Sequence, residues 1–196
     1  MSFLDGLWNA ITRFFSDAPA ASPVASCPQG ALTSAEAQAW FDKFKNRADI
    51  PWNYPNDCCY NRAHVMAQEL KAAGVNVGKA WNYAPGPDKP LRVSTPNDPK
   101  GYVEWGYHVA PTVPVAGSDG KVHPMVIDPS IASGPITPQQ WKDMQSQPGA
   151  SLVQTTAEPY YRSQDGRVAA TPPDSTVQDI FDQHRAERAA NFPPTK

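Results

Sequence analysis

The sequence predicts a fold that combines α-helices with antiparallel β-structure. Residues 33–44 begin with a capping signal and repeat apolar residues at helical spacing, and residues 58–73 end at a glycine suited to cap a helix. Two β-competent runs, 102–109 and 122–128, are separated by the turn sequence of residues 117–120. We therefore expect helices and a β-hairpin around one core.

The composition argues against two classes of partner. Seventeen Lys and Arg residues against 19 Asp and Glu residues give a formal charge of -2, and no basic cluster is present to follow a phosphate backbone. No run approaches the roughly 18 apolar residues that a membrane-spanning helix needs. We expect neither a nucleic-acid partner nor a transmembrane segment.

The two ends of the chain differ in composition from its centre. Residues 1–15 have apolar residues at helical spacing, which predicts an amphipathic helix, and residues 16–32 predict an Ala/Ser/Pro linker. The helix can pack on its own domain, or on a membrane surface, a secretion chaperone or another partner. It lacks the basic start and unbroken apolar run of a secretory signal, so we expect it to be retained. Residues 146–196 predict a Pro-rich extension with a C-terminal helix over 175–190.

The central part, residues 33–145, contains local signals for each expected element. Thr33 is followed three residues later by glutamate, which is the spacing of a capping box at a helix start. A strand is expected over 75–83, followed by two Pro-rich turns before the hairpin. Thr137 before Pro138 predicts a second, short capped helix.

Cysteine usage points to a reactive thiol. The three cysteines, Cys27, Cys58 and Cys59, leave at least one thiol unpaired within the chain. If Asn56 is the N-cap of the second helix, Cys59 falls in its first turn, where free N–H groups and the macrodipole favour a thiolate. Cys59 is therefore a candidate nucleophile, although a free thiol is also commonly a buried structural residue. Cys27 and Cys58 could pair in an oxidising compartment.

Four histidines are available as a base for Cys59. His64 lies in the same helix, roughly 140° around the axis from the cysteine, so its ring is expected to point away. His123 beside the turn and His184 in the C-terminal helix are interpreted as surface or packing residues. His108 alternates within a predicted strand and ranks first.

Asp128 is the candidate partner of His108. A symmetric hairpin centred on Ser118 places residues 108 and 128 opposite each other, with Cβ atoms about 4.5–5.5 Å apart, so that the carboxylate can orient the imidazole. Pro111 and Pro114 have opposite strand parity. We expect at least one of them to disturb the ladder through a longer loop or a bulge.

The sequence predicts no cofactor and no metal site. Cys58 and Cys59 are adjacent, which is not the spacing of a chelate, and no pair of His or Cys residues elsewhere completes a zinc site. The chemistry is therefore expected to rest on side chains alone.

Three motifs, DCCYNRAHVM, WGYHVAP and VIDPS, occur in this order and together resemble the bacterial protein glutaminase family. Its members carry a Cys-Tyr helix start, a W-x-Y-H-V strand and a V-[IM]-D-P-S strand end. The resemblance covers roughly residues 33–145, which it identifies as a protein glutaminase-like catalytic domain. It implies an α+β fold with a papain- and transglutaminase-like core, in which the nucleophile-bearing helix packs on an antiparallel sheet.

The resemblance also assigns catalytic roles. The family's nucleophile falls on Cys59, its general base on His108 and its orienting aspartate on Asp128, the three residues that the spacing ranks first. The family usually has glycine before the nucleophile, where this chain has Cys58. The implied reaction is deamidation: the thiol attacks the carboxamide of a protein-bound glutamine, ammonia leaves, and water hydrolyses the thioester.

Residues that would contact the substrate are less well specified. The backbone N–H of Cys59 is the first candidate donor to the oxyanion of the tetrahedral intermediate. Four aromatic residues are candidates for a cleft around the glutamine stem, although each could equally belong to the core: Trp52, Trp81, Trp105 and Tyr107.

Other functions remain open. The same triad could serve a transglutaminase or a cysteine protease, and a chain with a remnant triad could be a non-catalytic interaction module. A bacterial effector or toxin, delivered by a specialised secretion system, is a further hypothesis. Its expected partners are a protein substrate with an accessible glutamine and an immunity protein or a secretion chaperone.

Overall fold

The computed structural model describes most of the globular part of the chain. The described residues are 30–54, 56–95 and 98–191. The helix expected over 1–15 and most of the linker 16–32 lie outside them, as does Cys27. Within these ranges no helix is both long and apolar enough to cross a membrane.

Four α-helices occur in the described ranges: α1 (Ser34–Lys45), α2 (Cys59–Ala72), α3 (Pro138–Asp143) and α4 (Asp174–Asn191). The starts of α1 and α3 are capping boxes, as predicted. Thr33 Oγ1 accepts a hydrogen bond from the Glu36 N–H at 3.1 Å, and Thr137 Oγ1 accepts one from the Gln140 N–H at 3.2 Å. These bonds satisfy N–H groups that a helix start otherwise leaves unpaired.

Eight strands occur in the same ranges: β1 (Gly78–Tyr83), β2 (Leu91–Ser94), β3 (Tyr102–Trp105), β4 (Tyr107–Ala116), β5 (Val122–Val126), β6 (Ser151–Thr156), β7 (Tyr161–Arg162) and β8 (Val168–Ala169). The central sheet has the order β5-β4-β1-β6 and is antiparallel throughout. The pairs β2-β3 and β7-β8 form two separate small ladders.

The strand predicted over 102–109 is divided at Gly106. Its first half is β3, which pairs with β2 from the Pro-rich stretch that was expected to contain only turns. Its second half continues into the long strand β4, which pairs with β1 and β5. His108 therefore lies near the start of β4, the strand against which α2 packs.

The hairpin forms, but its predicted register is wrong. Ala116 pairs with Val122, which centres the turn on Asp119 rather than on Ser118. The β4-β5 ladder also ends before it reaches His108, whose direct partner is a residue of β1. A strand position opposite residue 128 therefore does not exist in this sheet.

The two prolines of β4 leave the ladder continuous, contrary to expectation. Within a strand, the N–H and C=O of one residue point to the same side. The carbonyl of Pro111 accepts from the Ile127 N–H at 3.0 Å, so its nitrogen faces the β5 side, just past the last β4-β5 pair. The carbonyl of Pro114 accepts from the Leu32 N–H at 2.8 Å, on the side where β1 has already ended. Neither missing N–H is required by a neighbouring strand.

The segment 146–196, expected as a Pro-rich extension, takes part in the fold. Strand β6 pairs along the whole of β1 and forms one edge of the central sheet. Val177 and Phe181 of α4 are buried in the core cluster that also contains side chains of α1 and α2. Helices α1, α2 and α4 thus share one core with β4, and this packing places α2 against the sheet.

Candidate active site

The candidate nucleophile Cys59 is the first residue of α2. The N-cap is Cys58 rather than the expected Asn56, because the backbone turns in the left-handed region at Cys58 (φ 75°) and the helix begins directly after it. The side chain of Asp57 accepts a hydrogen bond from the Cys58 N–H at 2.6 Å and fixes this turn. Cys59 is 5% exposed and packs against the aromatic cluster of β1 and β4.

Cys58 differs from Cys59 in its surroundings. Both thiols are free, but Cys58 lies in the main core cluster, whereas its neighbour lies in the aromatic cluster on the sheet. Burial raises the pKa of Cys58 to about 12, which keeps it a neutral thiol at physiological pH. The positive φ favours glycine, which accounts for the glycine that the protein glutaminase family usually has here. These features favour Cys59 over Cys58 as the nucleophile.

His108 and Asp128 are in direct contact. Nε2 of His108 lies 2.8 Å from Oδ2 of Asp128, and the two side chains are 1% and 3% exposed. Burial lowers the pKa of His108, but the carboxylate and the sulfur of Cys59 raise it more strongly, to about 9. Burial raises the pKa of Asp128, but the imidazole and other hydrogen bonds lower it to about 2. The pair is therefore an imidazolium and a carboxylate at neutral pH.

Two further residues hold the Asp128 carboxylate. The indole N–H of Trp141 donates to Oδ2 at 2.8 Å, and the backbone N–H of Ser130 donates to Oδ1 at 3.1 Å. The Ser130 hydroxyl also donates to Oδ1. Because each oxygen has a fixed donor, the carboxylate has little freedom to rotate, and its negative charge is stabilised without solvent.

The imidazole of His108 is stacked with two indoles. The ring of Trp105 lies 4.4 Å from it at an interplanar angle of 10°, and the ring of Trp141 lies 5.3 Å away at 24°. These two stacking contacts restrict rotation of the ring away from Asp128. Trp141 therefore contacts both members of the pair, one through its N–H and the other through its face.

The second nitrogen of His108 is available to the nucleophile. Nδ1 is buried and has no hydrogen-bond partner among the described residues. The sulfur of Cys59 is close enough to be among the groups that raise the pKa of His108. With Nε2 committed to Asp128, Nδ1 is the atom through which His108 can exchange a proton with Cys59.

A buried amide chain supports this arrangement from behind. Asn82 is the direct partner of His108 across β1 and β4, and its Nδ2 donates to Oε1 of Gln145 at 3.1 Å. Nε2 of Gln145 donates to the carbonyl of Trp141 at 2.9 Å. Both amides are 0% exposed, so the chain ties the sheet to the end of α3.

The other three histidines lie elsewhere in the fold. His64 is buried with its ring edge-on to Tyr160, which agrees with its structural interpretation. His123 lies on β5 and contacts a turn aspartate at an exposed position. His184 lies on α4, stacked on Tyr54 and bonded to a glutamate of its own helix. The contacts of each are to residues outside the Cys59 site.

The four aromatic candidates for the substrate cleft lie in different parts of the structure. Trp81 and Tyr107 pack in the cluster that contains Cys59, with Trp81 fully buried and Tyr107 half-buried. Trp105 stacks on the imidazole instead. The indole N–H of Trp52 donates to the carbonyl of a residue in α1 at 3.0 Å, and its ring packs on the main core. Among these four, Tyr107 best combines exposure with proximity to the sulfur.

Sequence reasoning missed three residues of the site. Trp141 follows a predicted helix start but shows no sign in the sequence that its N–H reaches Asp128. Ser130 stands within the VIDPS motif, two residues after the aspartate, and that spacing is a usable signal for a local side-chain turn. Tyr161 of β7 lies against Tyr107 and beside the nucleophile helix, in a segment outside the predicted catalytic domain.

Comparisons with known structures identify the fold. The NMR structure of protein-glutaminase from Chryseobacterium proteolyticum has a TM-score of 0.69 and 24% identity over 85% of this chain and 94% of that one. A crystal structure of protein-glutaminase has a TM-score of 0.65 and 25% identity over 84% and 96%. A crystal structure of pro-protein-glutaminase has a TM-score of 0.68 and 24% identity, and this chain covers 66% of it. The expected α+β, papain- and transglutaminase-like fold is confirmed.

A family model gives the family. The model Gln_deamidase_2, described as glutaminase, matches residues 37–145, which is more than half of the chain and includes Cys59, His108 and Asp128. A comparison with curated protein sequences gave no match. Sequence motifs, family model and fold agree, and the chain belongs to the protein glutaminase family of enzymes.

Proposed function

We propose that this enzyme hydrolyses the side-chain amide of protein-bound glutamine through Cys59, His108 and Asp128. The observation that carries the proposal is that the two ring nitrogens of His108 have different surroundings. Nε2 lies 2.8 Å from the Asp128 carboxylate, whereas Nδ1 has no hydrogen-bond partner among the described residues and lies on the side of the Cys59 sulfur. A positively charged imidazolium next to Cys59 stabilises negative charge on the sulfur, which is the nucleophilic form.

The proposed reaction has two halves. The sulfur of Cys59 attacks the glutamine carboxamide carbon, and His108 donates its Nδ1 proton to the departing nitrogen, so that ammonia leaves and a thioester remains. Water then gives a proton back to Nδ1 and attacks the thioester, which releases glutamate and restores the sulfur. Asp128 stays ionised throughout and stabilises the imidazolium each time it forms.

The start of α2 is the proposed site of oxyanion stabilisation. Cys59 is the first helical residue, and the first N–H groups of a helix have no partner within it. We expect its N–H to donate to the negative oxygen of the tetrahedral intermediate, and the macrodipole favours the same charge. Tyr107, half-buried beside Cys59, is the proposed contact for the glutamine stem.

Ammonia release tests this proposal. Wild type, Cys59→Ala and Cys58→Ala are incubated with casein, a glutamine-rich protein, and separately with free glutamine. We expect ammonia from the protein substrate, its loss in Cys59→Ala and its retention in Cys58→Ala, because only the first variant removes the nucleophile. Ammonia from Cys59→Ala, or none from wild type on any protein, would sink the proposal.

Transglutaminase and protease activity by the same residues are separated by their products. A transglutaminase cross-links casein and a protease shortens it, whereas deamidation leaves the chain length unchanged and adds one negative charge per converted glutamine. Gel electrophoresis and the mass of intact casein distinguish the three. We expect a mass gain of about one dalton per ammonia released, as follows from replacing an amide by an acid.

We also propose that the enzyme is delivered as a bacterial effector. This proposal rests on the amphipathic pattern of residues 1–15, which suits recognition by a secretion chaperone. Expression inside candidate target cells, with Cys59→Ala as the control, tests it. Growth inhibition that depends on Cys59 would support an effector role, and equal growth with both forms would contradict it in those cells.

A further inference from the structure

The hairpin of β7 and β8 packs against the residues that flank Cys59 and His108 in the sequence. The ring of Tyr161 is edge-on to Tyr107 at 5.5 Å and to Tyr60 at 6.5 Å. Tyr60 directly follows Cys59, and Tyr107 directly precedes His108. The first strand of the hairpin therefore stands against both elements that carry the reacting groups, and all three tyrosines are half-buried.

Arg162, the next residue of β7, is anchored to the same cluster. The hydroxyl of Tyr83 donates to the carbonyl of Arg162 at 2.8 Å, and Nη1 of the guanidinium donates to that hydroxyl at 3.3 Å. Tyr83 packs in the cluster that contains Cys59. These bonds fix the position of the guanidinium relative to the nucleophile.

The guanidinium retains an unused binding edge. Its side-chain hydrogen bonds among the described residues both come from Nη1, to Tyr83 and to the carbonyl of Ser163 at 3.2 Å. No bond from Nε or Nη2 of Arg162 occurs in the described part of the chain. These two donors form the fork that matches the two oxygens of a carboxylate.

The charge of Arg162 also lacks a counterpart. Within residues 30–54, 56–95 and 98–191, no carboxylate lies at ion-pair distance from it. Arg167 of the same hairpin is different: it pairs with Asp165 at 2.9 Å and its side chain is 85% exposed. A half-buried guanidinium that has no ion pair and is bonded to the cluster around Cys59 is a candidate binding site for an anionic group.

We propose that Arg162 binds an acidic side chain that lies within two residues of the target glutamine, so that the enzyme prefers glutamines in acidic sequences. The inference rests on the proposed glutamine deamidation. An extended peptide rises about 3.3 Å per residue, so a side chain one or two positions away reaches roughly 3–7 Å along the cleft from the reacting carboxamide. The guanidinium is bonded to Tyr83 of the cluster that contains Cys59, so a side chain near the target glutamine is the one it would meet.

Peptides with a single glutamine test this preference. Each peptide carries Glu, Ala or Lys at the two positions before and the two positions after the glutamine. Its N-terminus is acetylated and its C-terminus amidated, so that the only carboxylates are those of side chains. For wild type we expect kcat/KM for ammonia release to be about tenfold higher with Glu than with Lys, because a charge-assisted hydrogen bond contributes on that scale. The ratio should fall toward one in 1 M salt, where surface charges are screened.

Variants of Arg162 distinguish substrate binding from support of the hairpin. We expect Arg162→Gln to bring the Glu-to-Lys ratio within about twofold and Arg162→Glu to reverse it, because the sign of the charge sets the preference. A purely structural role would lower all peptides equally and leave the ratio intact. The matched control Arg167→Gln removes an exposed charge from the same hairpin and should keep the wild-type ratio.

The experiments distinguish a failure of the proposed role of Arg162 from a failure of the proposed deamidation. Equal kcat/KM for all peptides in wild type, or the same loss of preference in Arg167→Gln as in Arg162→Gln, overturns the role of Arg162 while deamidation stands. No ammonia from any peptide and none from casein overturns the proposed function, and the inference with it.

Discussion

Two histidine–aspartate pairs lie on the hairpin of β4 and β5, one at its base and one at its tip. His108 and Asp128 are 2.8 Å apart with side chains 1% and 3% exposed, whereas His123 and Asp119 are 3.0 Å apart with both side chains 48% exposed. The distances are nearly equal. What differs is that the base pair is enclosed by Trp105 and other buried groups, while the tip pair is open to water.

The comparison shows that burial and support, rather than contact alone, fix the charge and the geometry of a histidine–aspartate pair. In water an ion pair is screened and its side chains rotate freely, so its geometry and charge are weakly fixed. In the interior, the same contact holds the pKa of His108 near 9 and that of Asp128 near 2. Three experiments, ordered by expected effect, test this difference.

The largest effect is expected from removing the buried carboxylate. Asp128→Asn keeps the shape of the side chain but removes the charge that stabilises the imidazolium of His108, and it permits the wrong tautomer. We expect kcat/KM for ammonia release to fall on the order of 10³-fold or more. The matched change at the tip, Asp119→Asn, should leave the rate unchanged. Equal losses in the two variants would show that burial of the base pair is irrelevant.

A smaller effect is expected on stability at alkaline pH. Because the folded-state pKa of His108 is raised above its ordinary value of 6.5, the pair contributes stability that is fully present below pH 6.5 and is lost as pH rises through about 9. The contribution is about 3 kcal/mol.

Urea unfolding from pH 6 to 10 measures this linkage. Other groups titrate in the same range, including Lys79, whose pKa burial lowers to about 8. The informative quantity is therefore the difference in unfolding free energy between wild type and His108→Gln, which should narrow between about pH 6.5 and 9 and stay constant above that range. The exposed control is His123→Gln, compared with wild type in the same way. A His108 difference that is constant across the range would contradict the assignment.

The smallest of the three effects concerns the support of the carboxylate. Trp141→Phe keeps an aromatic face on His108 but removes the N–H that donates to Asp128. We expect kcat to fall about tenfold with KM little changed, because one charge-assisted hydrogen bond to the carboxylate is lost while the substrate cleft is untouched. Trp40→Phe, in α1, controls for the loss of an indole. A change in KM alone would place Trp141 in substrate binding instead.

Local signals in the sequence predicted the local parts of the fold. The starts of α1 and α3 depend on Thr33 and Thr137 and on residues within three positions of each, so they are visible without tertiary structure. The end of α2 at Gly74 is of the same kind. The pairing of β6 with β1 depends on a partner that is distant in the sequence and escaped prediction. The pairing of β2 with β3 is shorter in range but was missed because it lies in a Pro-rich stretch.

The sequence predicted that His108 and Asp128 meet, but not the geometry by which they do so. The contact between His108 and Asp128 was anticipated from a register that the sheet does not have, because the turn is centred one residue later and the β4-β5 ladder stops short. Asp128 reaches the imidazole from the loop after β5, held there by Ser130. Such a loop position follows from tertiary packing and has no period in the sequence. The N-cap at Cys58 was missed for a related reason, since non-glycine residues rarely adopt positive φ.

The site joins residues that are far apart along the chain. Cys59, His108, Asp128 and Trp141 come from α2, β4, a loop and α3, so no local fragment contains a complete site. Contacts of high sequence separation form late and slowly during folding, because a large loop must close before they contribute any energy. Ammonia release after dilution from denaturant should therefore recover only when the long-range contacts that join these four elements have formed. The rate of recovery then measures how fast those contacts form.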